Sequence, residues 1–193
     1  MILNKIYNKS LNLLLSSYYK KIKNINFLGK VYFKGIPVIL KHQDAQIIIG
    51  KNTLINSSKK NYHLNMHSSC KLLADRPQAE IIIGENCRIH GTCIHAVKKI
   101  KIGNNCLIAA NTNIIDSNGH ILAMDNPVDR LRIADEGRPV IIEDNVWIGA
   151  NVIILGGTII REGAVIMAGS VVKGEVPPKS IYGTDSFKVI KQY

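Results

Sequence analysis

Between Ile142 and Pro177 an aliphatic residue returns every six positions, at Ile142, Ile148, Ile154, Ile160, Ile166 and Val172. A small or β-branched residue stands two places before each following block, at Val146, Val152, Thr158, Ala164, Ser170 and Val176. A helix repeats every 3.6 residues and a half-buried strand every two, so neither explains a period of six held for six blocks. Three-residue strands joined by three-residue corners do explain it. The first and third side chains of each strand then turn inward and the middle one outward, while the corners take Gly and Asn, which tolerate unusual φ and ψ. Three such faces make one triangular coil of 18 residues, and stacked coils bury a continuous aliphatic prism. The pattern predicts a parallel β-helix. A sandwich would need longer strands and hairpin turns.

The same logic reaches further back. Ile47–Ile55, Ile81–Ile89, Ile100–Ile108 and Val140–Ile148 align as repeats, with Asn52, Asn86, Asn105 and Asn145 at one phase. A recurrent Asn suits a corner residue in the left-handed conformation. Ile83 and Ile102 are 19 residues apart, one coil plus one extra residue. The gaps of 34 and 40 residues on either side are not multiples of 18, so each must hold irregular turns or a loop. The larger departure follows Ile114: a polar segment with Asp125, Asp129, Arg130, Arg132, Asp135 and Arg138 runs to Pro139 without hexapeptide phase. A loop thrown out of a regular solenoid is where function usually resides.

Residues 2–23 alternate Ile2, Leu3, Ile6, Leu11, Leu14, Leu15, Tyr18, Tyr19 and Ile22 with five lysines, which predicts one amphipathic helix with Ser10 as its candidate break. One role is a lid over the first coil, whose end is otherwise an open strand edge; the other is a basic helix lying on a membrane surface. The expected organisation is a helical cap over 1–28, a β-helix over 29–182 with a loop extruded at about 119–139, and a tail over 183–193.

At 193 residues the chain suits a single domain with a sizeable core. A net charge of +11, with lysine outnumbering arginine, favours anionic partners such as phosphates or an anionic surface. Nucleic acid is disfavoured: there are no interleaved aromatics, no zinc-finger spacing and no helix-turn-helix pattern. Cys70, Cys87, Cys93 and Cys106 show no metal-ligand spacing. Cys87, Cys93 and Cys106 fall in the small slot of the repeat and read as core, so free thiols point to a cytoplasmic protein. No stretch approaches 18 apolar residues and residues 1–29 lack a signal-peptide cleavage site.

Trp147-Ile148-Gly149 followed by hexapeptides, then Gly169-Ser170-Val171-Val172 and Val176-Pro177-Pro178, resembles the left-handed β-helix acyltransferases, closest to the maltose, galactoside and capsular-sugar O-acetyltransferases. The likeness is tight over 140–182 and looser back to about 47. It implies a left-handed coil, transfer from acetyl-CoA to a hydroxyl, and a homotrimer that binds acetyl-CoA between adjacent prisms. Residue by residue it implies His120 as the catalytic base, Trp147 flanking the pantetheine and the Ala150 N–H at the thioester oxygen. Ala168 would lie along the pantetheine arm, with Lys173 and Lys188 near the phosphates. Imidazole titrates near working pH, as a base for a sugar hydroxyl requires. Asp116, four residues earlier, or a backbone carbonyl could orient the ring. No Cys or Ser stands at an evident nucleophile position, which favours direct transfer.

The outward residues Trp147, Ile153, Ile159, Val165 and Val171 are apolar, and a solenoid does not normally leave such residues in water, so they are the expected trimer contact. The acceptor is expected to be a sugar or glycan hydroxyl, with an antibiotic as the alternative, in a pocket shaped by the loop and by residues 56–80, including His63 and His67. Two other classes remain open. One is a zinc hydro-lyase of the γ-carbonic-anhydrase type using His90, His95 and His120; the other is a non-catalytic assembly module.

Overall fold

The computed structural model describes residues 2–60 and 62–183, with side chains from Ser10 onward. Lys188 and the rest of the expected tail, 184–193, lie outside the described residues. One helix, Ile2–Lys20, precedes twenty short strands, and Ser10 does not interrupt it. The strands form three parallel sheets of seven, seven and six members. Successive strands visit the three sheets in turn, so each sheet is one face of a triangular prism, a left-handed parallel β-helix.

The first face begins at Ile25–Leu28 and includes Glu80–Ile83, Lys99–Ile102 and Val140–Ile142. The second begins at Tyr32–Lys34 and includes Arg88–His90, Leu107–Ile108, Trp147–Ile148 and Val165–Ile166. The third begins at Val38–Lys41 and includes Lys71–Ala74, Cys93–Ala96, Asn113–Ile115, Ile153–Ile154 and Val171–Val172. Ile47, Ile81, Ile100 and Val140 stand in register down the first face and are fully buried. Burying each aliphatic side chain contributes about 1.5–3 kcal/mol, so the column is the main source of stability. At the first-to-second corner Asn52, Asn86, Asn105 and Asn145 have φ of 61°, 57°, 57° and 62°, the left-handed conformation that asparagine adopts at low cost. Asn86 donates to Asn105 and Asn105 to Asn145, each at 3.2 Å, so the corner residues also form a ladder.

Two departures from the period leave the prism. Residues 57–70 swing out between Leu54–Asn56 and Lys71–Ala74, and are tied back where Asn111 donates to the Asn65 carbonyl and accepts from the His67 N–H, both at 2.9 Å. Residues 116–139 leave the third-to-first corner, make a short 3-10 turn at Pro127–Leu131 and return at Val140. The feet of this second loop meet where the Arg138 N–H donates to the Asp116 carbonyl at 2.6 Å. A Cβ at Gly156 would lie 2.5 Å from that same carbonyl oxygen, so only glycine lets the feet cross the next coil. The helix lies on the first coil: Tyr19 is buried, stacks 5.9 Å from Phe33 and donates its hydroxyl to the Pro37 carbonyl at 3.0 Å.

Three sequence expectations need correction. Cys93 is not a core residue; it is half-buried on the outward side of the third face. The preceding corner is one residue shorter than the period assumes, so Thr92, fully buried two places before Ile94, takes the small slot. The outward apolar residues do not make one stripe. Trp147 pairs in register with Val165 on the second face, Ile153 with Val171 on the third, and Ile159 with Ile141 on the first. A six-residue step advances one face, and only an 18-residue step returns to the same one. Asp116 is the third, and its place belongs with the site.

Candidate active site

Of the expected site residues, Trp147, Ala150 and Ala168 come together at the edge between the second and third faces. Trp147 is the outward residue of its strand and 55% exposed, while Ile148 turns into the core. The chain then bends through Gly149-Ala150-Asn151. The Gly149 N–H donates to the Ile166 carbonyl and the Asn151 N–H to the Ala110 carbonyl, both at 2.9 Å. Between them the Ala150 N–H has no backbone acceptor among the described residues. A Cβ at Gly149 would lie 2.5 Å from the Ala168 nitrogen, so glycine is what allows the next corner to stack this closely.

The segment 56–80, expected to shape the acceptor pocket, borders this edge through Tyr62, His63 and Leu64. Strand register puts Asn56, His90, Ala109, Gly149 and Met167 in one column. The small Ala109 and Gly149 leave a trough there, walled by Leu107, Trp147, Val165 and Met167 and covered by Tyr62, His63 and Leu64 of the first loop. The void measures about 680 Å³ and no acidic residue lines it. The Tyr62 hydroxyl meets the Ala110 N–H, one corner before Ala150; burial raises its pKa and that N–H offsets part of the rise. The Tyr62 ring lies 4.7 Å from the His90 ring. The sequence pointed to the 56–80 segment and to His63 but did not single out Tyr62, and it offered His90 only as a candidate zinc ligand.

The protonation state of His90 follows from its neighbours. Ser58 N–H donates to Asn56 Oδ1 at 3.0 Å, which turns the amide nitrogen toward His90 Nδ1, also at 3.0 Å. A donor facing Nδ1 requires a lone pair there, so the neutral ring carries its proton at Nε2. Burial, aided by the nearby positive charges of Arg88, His63 and Lys34, pulls the His90 pKa down to about 4. At neutral pH this side chain is therefore an N–H donor in an apolar trough.

His120 lies elsewhere, at the root of the second loop on the third-to-first edge. It is exposed, with no hydrogen-bond partner among the described residues. Asp116 does not orient it. The Asp116 carboxylate is 1% exposed and turns back to the preceding coil, where it accepts the N–H groups of Val97, Lys98 and Lys99 at 2.7–2.8 Å. A corner with three adjacent unpaired amides is a strong attractor for a carboxylate, and sequence proximity to His120 does not compete with it. Asp135 fixes the loop instead. Burial works against its charge, but the Ser117 hydroxyl, the Asn118 and Gly137 N–H groups and the Arg76 charge outweigh burial and hold its pKa below the usual range. Lys173 is exposed on the same edge, at the corner after Val171–Val172.

A second imidazole stands near the loop root. His95 is in register with Ile115 and its Nε2 lies 2.9 Å from Asp75 Oδ2. The three imidazoles of the zinc reading therefore do not converge within the chain: His90 faces the trough, His95 pairs with Asp75 on the third face, and His120 sits on the loop. Among the described residues no group of three or more His, Cys, Asp or Glu could hold a metal ion.

Comparison with known proteins agrees with this architecture. A family model described as the hexapeptide repeat of succinyl-transferase matches residues 80–115 and 139–173. The putative lipopolysaccharide biosynthesis O-acetyl transferase WbbJ of Escherichia coli is 30% identical over 159 residues, covering 79% of this chain and 81% of that protein. Among solved structures, AntD, an N-acyltransferase from Bacillus cereus in complex with dTDP and 3-hydroxybutyryl-CoA, superposes with a TM-score of 0.62 at 22% identity over 86% of this chain and 82% of that one. The hexapeptide-repeat acetyltransferase VCA0836 from Vibrio cholerae superposes with a TM-score of 0.57 at 22% identity, covering 98% and 88%. The chain belongs to the hexapeptide-repeat acyltransferases.

Proposed function

We propose that the protein is an acetyl-CoA-dependent O-acetyltransferase that modifies a hydroxyl of a sugar or surface-polysaccharide unit in the cytoplasm. The observation that carries this reading is the unclaimed imidazole of His120 at the root of the longest phase-breaking loop. The names of its relatives support the chemistry: a lipopolysaccharide O-acetyl transferase in sequence and a CoA-bound sugar-nucleotide N-acyltransferase in fold. The pantetheine arm runs past Ala168 and Trp147, and the thioester oxygen meets the Ala150 N–H, where negative charge develops during attack. His120 takes the hydroxyl proton as the C–O bond forms; the C–S bond then breaks, and the imidazolium returns its proton to the departing thiolate. Within one chain the two edges stand on opposite sides of the third face, roughly 15–20 Å apart along six residues of extended chain. A homotrimer that sets one copy's His120 edge beside the next copy's Trp147 edge completes the site.

A second base is favoured by one observation, the His95–Asp75 pair at 2.9 Å on the same edge as the loop root. Single variants separate the two. His120→Ala should lower kcat by about 10²–10⁴, the usual worth of a positioned base, with acetyl-CoA binding by calorimetry nearly unchanged. His95→Ala should cost less than about tenfold, the low end for a group that only shapes the surroundings. Near wild-type turnover in His120→Ala, with loss in His95→Ala, would move the base to His95.

A further inference from the structure

The net charge of the chain is concentrated in the first part of its sequence, which leads into one end of the prism. Residues 1–43 contain eight lysines and no aspartate, glutamate or arginine, so they carry eight of the eleven net charges and the other 150 residues only three. The helix that caps this end uses one side for packing, where Asn12 bonds the Phe33 carbonyl at 2.7 Å and Tyr19 is buried. The other side is open. At 100° per residue Lys20, Leu13, Ser17, Ser10, Leu14 and Tyr18 fall in order on one arc of about 160°, and all six are exposed. Leu13, Leu14 and Tyr18 are 67%, 68% and 62% exposed, a high value for adjacent apolar side chains on one helix. Lys21 and Lys23, just past the helix end, are exposed as well. Beside the arc, Leu13, Lys20, Phe27, Lys30 and Tyr32 line a groove of about 580 Å³ that has no acidic wall. The helix is too short in apolar length to span a bilayer.

We infer that this end of the prism docks on an anionic phospholipid surface, with Leu13, Leu14 and Tyr18 entering the headgroup layer and the lysines around them facing lipid phosphates. Exposed leucines with cations at the C-terminal end of the helix and no carboxylate beside them match the chemistry of an interfacial helix, and the charge complementarity selects an anionic bilayer over a protein surface of mixed sign. The cap over the first coil and the membrane contact use opposite sides of one helix, so the two roles coexist. The test is co-sedimentation of the full chain with vesicles of phosphatidylcholine alone and of phosphatidylcholine containing one third phosphatidylglycerol. Binding to the anionic vesicles only, weakening with added salt, is expected. Each lysine at such a surface is worth about fivefold in partitioning, so the triple variant Lys20→Gln, Lys21→Gln, Lys23→Gln should lose about 100-fold. Leu14→Ser should lose about tenfold with the thermal melt unchanged, since burying such a side chain is worth that much. Equal binding to both vesicle types, no binding by the wild-type chain, or full binding by both folded variants would each overturn the inference. So would a drop in oligomeric mass for Leu14→Ser without any vesicle effect, which would assign the face to a second copy.

Discussion

The two edges of the third face are built on opposite principles. At the second-to-third edge a chain of contacts orders the side chains: Ser58 fixes Asn56, Asn56 fixes His90, and the Ala110 N–H meets the Tyr62 hydroxyl. At the third-to-first edge Asp116 is buried against three amides, but the imidazole of His120 is exposed and has no hydrogen-bond partner among the described residues. A preorganised apolar trough suits holding a long flexible acyl donor, because groups already ordered cost little further on binding. An open edge with a titratable ring suits delivering and accepting a proton. The prism keeps the two edges on opposite sides of its third face.

The largest test of that division is to prevent two copies from meeting. Ile153 and Val171 lie between the edges, 37% and 55% exposed and paired in register. Aspartate at Ile153 would place a charge in an apolar contact, which proteins avoid at several kcal/mol. Light scattering should report three chains for the wild type and one for Ile153→Asp, and turnover should fall at least as far as in His120→Ala. A monomeric variant that keeps wild-type turnover would mean that the edges are not joined between copies.

Much of this was legible in advance, and for a physical reason. A repeat of six repeats its chemistry, so Ile148, Ile154 and Ile160 announced the core and Asn86, Asn105 and Asn145 announced a left-handed corner. What failed were statements about direction at irregular points. The outward residues looked like one stripe because sequence order hides the turn to a new face at every sixth residue. Cys93 was misplaced because its corner is short by one residue, and Asp116 was paired with His120 because the amides of Val97, Lys98 and Lys99 are distant in sequence. Tyr62 was not singled out within the 56–80 segment, and His90 was read only as a candidate zinc ligand, because their contact depends on the path of a loop that has no repeat phase.

A smaller effect tests the His90 environment by pH. The His90 pKa is about 4 in the folded chain against about 6.5 for an unperturbed histidine, with burial as the main cause. The fold therefore prefers the neutral ring. Its contribution to stability is full above pH 6.5 and is lost as the pH falls toward 4, because the unfolded chain takes up the proton first. The melting temperature of the wild type should drop across that window, and His90→Gln, which keeps a donor but no titrating ring, should flatten the drop. An unchanged slope in His90→Gln would show that the trough admits a charged ring without cost, and the apolar surroundings of His90 would not set its charge.

The smallest expected effect concerns Lys173, the one described lysine assigned to the cofactor phosphates. It is exposed beyond the open edge, and an exposed charge contact is worth about 0.2–1 kcal/mol. Lys173→Ala should therefore raise the KM for acetyl-CoA by no more than about fivefold with kcat unchanged, which is that energy expressed as affinity. The difference from wild type should also shrink as ionic strength rises, because surface charges are screened over about 8–10 Å at ordinary salt. Trp147→Ala is the internal contrast: its effect on KM comes from lost apolar contact in the trough and should persist at high salt. If the Lys173 effect also persists, or appears in kcat, the side chain acts close to the reacting atoms, and the open edge contributes more than a proton acceptor.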